Sequence, residues 1–214
     1  DGTCVAVDVV PDKRLAESYA QLERTLSESQ DMVVRMDDNR VAVVHFADGE
    51  QSAYEFGEFL RNSLYEELGV KASVGIGCEV HSFSEIARSY LQAVTAVRVS
   101  AIFHNVGEVH SYREYLLVKL LEDLPKSRMQ EYLEQFRAES AEEIFEDEEM
   151  TETAEAFLES SLNVSETSRN LFMHRNTLMY RLDKIERVTG LNIRKFSDAV
   201  TFRILSVLYK LLQS

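Results

Sequence analysis

The chain has 214 residues, is 45% hydrophobic and carries only 2 prolines and 8 glycines, a composition that fits one or two packed domains and indicates neither disorder nor a loop-rich fold. Its net charge of −14 argues against a polyanion-binding surface spread over the whole molecule. No apolar run approaches the roughly 18–20 residues of a membrane span, so no membrane partner is expected.

The two cysteines, Cys4 and Cys78, stand apart, within or at the end of apolar strand patterns. Without neighbouring ligands they read as buried free thiols, not as a disulfide or a metal site, and no cofactor is expected. These features point to the cytoplasm. A chain that opens on Asp1 and not Met is expected to be part of something longer.

In chain order, Thr3–Val10 has the pattern of a strand, and Asp12–Ser29, opened by Asp12 after Pro11, that of a helix. Asp31–Met36 and Arg40–Phe46 predict two short strands, joined through Asp37-Asp38-Asn39 in a hairpin turn. Ser52–Leu68 is amphipathic and is stopped by Gly69, the residue type of a left-handed C-cap. Lys71–Gly77 predicts a further strand, and a helix is expected over Ser84–Phe103 with Ser84 as its N-cap. The order β-α-β-β-α-β-α predicts an α+β fold for residues 1–110, one sheet with helices packed on a face.

From Tyr112 onward the strand pattern stops. Helices are expected over Tyr115–Leu124, ended by Pro125, over Ser127–Phe145 and over Thr151–Ser161. Residues 111–150 therefore read as a helical connector and residues 151–214 as an all-helical domain. Between Glu139 and Glu155 there are nine acids and no Lys or Arg, which reads as a solvated helix face with an inter-helix loop. From Asn163 to the end, nine Lys/Arg stand against four acids, a net of +5 that leaves −19 for the rest of the chain. A cationic end on an acidic body is the asymmetry expected when one small module meets phosphate.

Within that end, Ser165 is expected to cap a short helix with Val164, Ser168 and Leu171 on one side. A turn of three or four residues follows, with Phe172 in the region where many helix-turn-helix units have glycine. A second helix is predicted from Arg175 to Thr189, stopped by Gly190, with Leu178, Leu182 and Ile185 as its core-facing stripe. Its other face carries Arg175, Asn176, Thr177, Tyr180, Arg181, Lys184 and Arg187. A second helix set in the major groove meets base edges with its N-terminal residues. Arg suits guanine O6/N7, Asn suits adenine N6/N7, and a Thr methyl suits the thymine methyl. Tyr180, Arg181 and Lys184, further along, are placed for phosphate. Spacing alone leaves open an ordinary amphipathic helix pair with a basic outer face.

The blocks HRNTLMYRLDKIE, TGLNIRKF and DAVTFRI resemble the C-terminal domain of the PucR/CdaR family of bacterial transcription regulators, over roughly Thr151–Leu212. The resemblance implies a winged-helix-like or all-helical DNA-binding domain. Arg175, Asn176 and Thr177 would open its recognition helix, with His174 at the N-cap. The candidate DNA-binding set is Ser165, Thr167, His174, Arg175, Asn176, Thr177, Tyr180, Arg181 and Lys184.

The front half resembles the GGDEF-type diguanylate cyclase fold, as it occurs in degenerate form in the same family. Val5 to Tyr19 is similar to the cyclase first strand and helix, Arg35–Val44 to the signature hairpin, and Ser73–Gly77 to a later strand. The two hairpin glycines correspond to Asp37 and Asp38, the acids after them to Asn39 and Arg40, and the second metal-binding Asp of the first strand to Val10. Only Asp8 is left. Two-metal nucleotidyl transfer needs clustered carboxylates, so no catalysis is expected. Dimerisation and packing, or retained binding of a small ligand, are the roles left to this domain.

The expected protein is thus a GGDEF-like sheet-and-helix domain followed by an all-helical helix-turn-helix domain. It would bind double-stranded DNA as a homodimer and regulate a catabolic operon, with a small-molecule effector acting through an N-terminal domain that the resemblance implies and this chain lacks. A nucleotide-signalling enzyme, and a module docking its basic helix on an acidic protein, are the alternatives from other classes.

Overall fold

The computed structural model describes residues 3–36, 39–47, 51–103, 107–136 and 141–214. The chain divides into two compact units, Asp1–Lys119 and Leu120–Ser214.

The first unit runs β1 (Thr3–Pro11), α1 (Leu15–Thr25), β2 (Met32–Arg35), β3 (Val41–Ala47), α2 (Ala53–Leu68), β4 (Ala72–Ile76), α3 (Ile86–Ile102) and β5 (Val109–Ser111). Its five strands lie in the order β2-β3-β1-β4-β5. All neighbours are antiparallel except β4 and β5. The period-two pattern of β1 explains how both faces are used. Val5, Val7 and Val9 enter a buried cluster with Leu22 and Leu26 and, from α2, Phe56, Leu60 and Leu64.

The alternate residues Ala6 and Asp8 face α3: Ser89 Oγ accepts from the Ala6 N–H at 3.0 Å, and Tyr90 meets Asp8. Helix α3 lies directly on strand backbone. A Cβ on Gly75 would stand 2.0 Å from the Ala93 carbonyl oxygen, and one on Gly77 2.1 Å from that of Ser89. Helices thus cover both faces of the sheet, not one as expected.

Several boundaries differ from the sequence reading. Helix α1 starts only after Arg14, which is left-handed at φ 57°. The Asp12 N–H donates to the Lys71 carbonyl, and its carboxylate accepts from the Lys71 N–H, so Asp12 extends the pairing of β1 with β4 instead of opening the helix. Ser84 does not cap α3. Ser82 accepts from the Ser84 N–H at the head of a 3-10 turn, and α3 follows at Ile86. Strand β5 has three residues, too few for alternation to register, and the sequence reading missed it. Gly69 does terminate α2, at φ 62°, and Ser52 and Glu55 form a capping box at its start.

Helix α4 (Leu116–Glu122) leads to the second unit, which contains α5 (Lys126–Gln135), α6 (Ala141–Glu146), α7 (Glu148–Glu159), α8 (Val164–Asn170), α9 (Arg175–Thr189) and α10 (Phe196–Gln213). The stretch expected as one helix from Ser127 to Phe145 is two. Helix α7 begins three residues earlier than expected because Asp147 caps it, accepting from the Met150 N–H at 3.2 Å. The acids Glu148 and Glu149 in its first turn suit the positive end of the helix dipole.

Met150, Ala154 and Phe157 on α7 join Leu178, Leu182 and Ile185 on α9 in one core, together with Ile144, Ile193, Ala199 and Phe202. The acidic segment is therefore a packed element of this unit and not only a solvated face. No strand occurs among the described residues of the second unit, which makes it all-helical and not winged. No helix among the described residues is long and apolar enough to cross a membrane.

Candidate nucleic-acid interface

Helices α8 and α9 are built by two caps and a turn. Asn163 caps α8, its side-chain oxygen accepting from the N–H groups of Ser165 at 3.0 Å and Glu166 at 3.1 Å. The cap expected at Ser165 therefore sits two residues earlier, because Asn163 has the extended backbone from which a side-chain oxygen reaches back onto the helix. Ser165 is exposed in the first turn. Thr167 is fully buried and its hydroxyl donates to the Asn163 carbonyl. It holds α8 together and cannot touch a partner in this conformation, which corrects its place in the expected contact set.

The turn closes through two bonds: the Phe172 N–H donates to the Arg169 carbonyl at 3.1 Å and the Met173 N–H to the Ser168 carbonyl at 2.9 Å. His174 then caps α9, its Nδ1 accepting from the Asn176 N–H at 3.2 Å, as the sequence resemblance implies. Arg175, Asn176, Thr177 and Tyr180 are exposed, and Leu178, Leu182 and Ile185 are wholly buried. Helix α9 stops at Gly190, where φ is 73°.

Arg181 and Lys184 are not free on this face. Arg181 donates to the Thr153 hydroxyl and pairs with Glu149, and Lys184 pairs with Asp147 at 3.4 Å. Both hold α9 to α7. These pairs compete with the expected role of both residues on phosphate, because acids that the sequence separates by more than thirty positions are folded against them.

Arg194 is a bracing residue that sequence reasoning passed over as one more tail cation. It bridges Asp183 and Glu186 on α9 and donates to the Met179 carbonyl. The signal available was the pair of acids one turn apart on α9. Arg203 and Lys210 on α10 share Glu155. Five of the nine tail cations are therefore ion-paired. Arg169, Arg175, Arg187 and Lys195 are exposed and have no ion pair among the described residues, leaving α9 with bare donors at its N-terminal turn.

In the first unit, Asp8 is fully buried. Arg40 pairs with its carboxylate and Tyr90 donates to it at 3.2 Å. Burial raises the Asp8 pKa above the ordinary carboxyl range, and the Arg40 charge and the Tyr90 bond pull against that rise. The Tyr90 hydroxyl is pushed upward, first by burial and then by the Asp8 charge. Asn39 takes a left-handed φ of 64° and donates to the Pro11 carbonyl. Asp37 and Asp38 lie outside the described residues. No cluster of three or more metal-ligating side chains occurs among the described residues. Asp8, the carboxylate that the sequence resemblance leaves at the cyclase metal position, is engaged by a guanidinium and a phenol.

Residues 150–205 match the PucR C-terminal helix-turn-helix domain and residues 1–99 the GGDEF-like domain. Among curated relatives, the purine catabolism regulatory protein of Bacillus subtilis (strain 168) is 23% identical over 72% of this chain and 29% of its own length. The DNA-binding transcriptional activator AdeR of the same organism is 22% identical over 88% of this chain and 46% of its own. The carbohydrate diacid regulator of Escherichia coli (strain K12) is 30% identical over 66% of this chain and 36% of its own. The chain spans less than half the length of each.

Proposed function

From the premise that this chain belongs to the PucR/CdaR family, with a GGDEF-like domain followed by a PucR-type helix-turn-helix domain, we propose that it is a sequence-specific DNA-binding regulator of transcription. The observation that carries this reading is the contrast along α9. Its middle and C-terminal half are locked by Arg181, Lys184 and Arg194, whereas Arg175, Asn176 and Thr177 at its capped N-terminus are exposed. Base edges in a major groove are read by such an end. Helix α7 is the brace that aims it.

In this reading the GGDEF-like domain is non-catalytic and serves dimerisation or ligand sensing. The chain acts as a homodimer, because one helix end spans too few base pairs to locate a site in a genome. The names of relatives such as the purine catabolism regulatory protein and the carbohydrate diacid regulator support control of a catabolic operon in response to a small metabolite.

Selection of duplexes from a random library of about 30 base pairs, long enough for two half-sites one helical turn apart, tests the reading. It predicts enrichment of a two-fold symmetric site. Equal retention of all sequences would contradict it.

A further inference from the structure

Phe172 stands where the backbone asks for glycine. The two bonds that close the end of α8, from Met173 N–H to Ser168 and from Phe172 N–H to Arg169, form a Schellman cap. The residue between them must be left-handed. Phe172 is, at φ 49°. A β-carbon there crowds its own backbone, and glycine enters without that cost. The ring gains nothing from its own chain in return. It is 98% exposed, the most exposed large apolar side chain among the described residues. A strained backbone under a solvated aromatic ring points to a contact made outside the chain.

What that contact is follows from the neighbours. His174 begins α9 two residues later, and Arg175, Asn176 and Thr177 follow, all exposed. Arg169 and Arg175 flank the turn, exposed and without an ion pair among the described residues, on a chain whose net charge is −14. A cationic rim suits a polyanion better than a second copy of an acidic chain. We propose that Phe172 is an apolar DNA contact, its ring packing beside the N-terminus of α9 against a thymine C5-methyl or the C–H surface of deoxyribose. This rests on the reading of α8 and α9 as a DNA-binding pair. Helix α9 would then supply polar readout while the turn excludes water at the groove edge.

Phe172→Gly separates the two demands on this position, because strain relief and contact loss move opposite observables. In the full chain it should raise Tm by about 2–4 °C while weakening binding to the library-selected duplex by about tenfold or more. Phe172→Tyr keeps the ring and the strain, and should stay within about threefold of the unmodified chain in affinity. Replacing thymine by uracil in the duplex distinguishes the two surfaces. A loss at one position that is absent in Phe172→Gly identifies a methyl contact by Phe172 and not by Thr177, and no such loss leaves deoxyribose. If Phe172→Gly binds as tightly as the unmodified chain while Asn176→Ala loses the site, the Phe172 contact is overturned and the DNA reading stands. If the unmodified chain enriches no duplex, both fall.

Discussion

The guanidinium of Arg181 on α9 donates to the hydroxyl of Thr153 on α7 at 2.9 Å, with 17% of the Arg181 side chain exposed. The same group reaches Glu149 at 3.1 Å. Arg181→Ala should therefore lower the unfolding free energy by about 1–3 kcal/mol for a lost charge-assisted bond, read as a lower denaturant midpoint. It should leave the slope of log affinity against log salt unchanged, because a cation already paired within the chain releases no DNA counterion. A slope smaller in magnitude by about 2, about 0.9 for each copy in a dimer, would place Arg181 on a phosphate instead.

From Asn163 onward, the cations available to phosphate are those without an ion pair among the described residues. Arg169, Arg175, Arg187 and Lys195 are exposed, and two copies of the chain would present each twice. Titration with salt should weaken specific binding with a log–log slope no steeper than roughly −7, about −0.9 per phosphate neutralised. A slope near zero would remove DNA as the partner. A slope far steeper would mean that the α7 ion pairs open on binding.

Asp8 and Arg40 form a pair in which one member is wholly buried. Arg40→Met should cost on the order of 2–4 kcal/mol, because it leaves a buried carboxylate with only Tyr90. The double variant with Asp8→Asn should recover part of that. The sign with pH follows from the raised Asp8 pKa. A carboxyl whose folded pKa lies above its unfolded value favours the folded state below the unfolded pKa, and that contribution is lost as pH rises through the folded pKa. Losing Arg40 raises the folded pKa further. The deficit of the variant should therefore shrink as pH falls from about 7 toward 5, and a deficit constant over that range would contradict the assignment.

The same geometry bears on catalysis. By the cyclase resemblance Val10 corresponds to the second metal position of the first strand, and Asp8 is engaged by Arg40 and Tyr90. Two-metal chemistry needs a carboxylate cluster, and no group of three or more metal-ligating side chains occurs among the described residues. The chain supplied with GTP and Mg²⁺ or Mn²⁺ should form no cyclic dinucleotide, read by chromatography against a blank without protein. Turnover above that blank would overturn the non-catalytic reading of the domain.

Periodic features were legible in the sequence. The valines of β1, the stripe of Leu178, Leu182 and Ile185, and the glycines ending α2 and α9 all have the roles their spacing implies. Features that depend on distant partners were not. The acids around Asp147 and Glu149 read as solvated because nothing local shows that Lys184 and Arg181 return to them. Thr167 read as a contact residue because a buried hydroxyl bonded to its own helix has the same sequence appearance as an exposed one. Strand β5 was too short to show alternation, and Phe172 hid a glycine-type cap behind an aromatic side chain. The backbone there is dictated by the hydrogen bonds of the turn, not by the residue that fills it.

Whether α9 reads sequence is tested most directly at Asn176, which is exposed, uncharged and held in the first turn by its N–H bond to the His174 cap. Affinities of the unmodified chain and of Asn176→Ala should be measured at one salt concentration, for the selected duplex and for an unrelated one, with sedimentation run at the same protein concentration. The account predicts a loss of about 1–3 kcal/mol per half-site on the selected duplex, almost none on the unrelated one, and a dimer in both cases. Equal losses on both duplexes would make Asn176 a structural residue and contradict readout by this helix end.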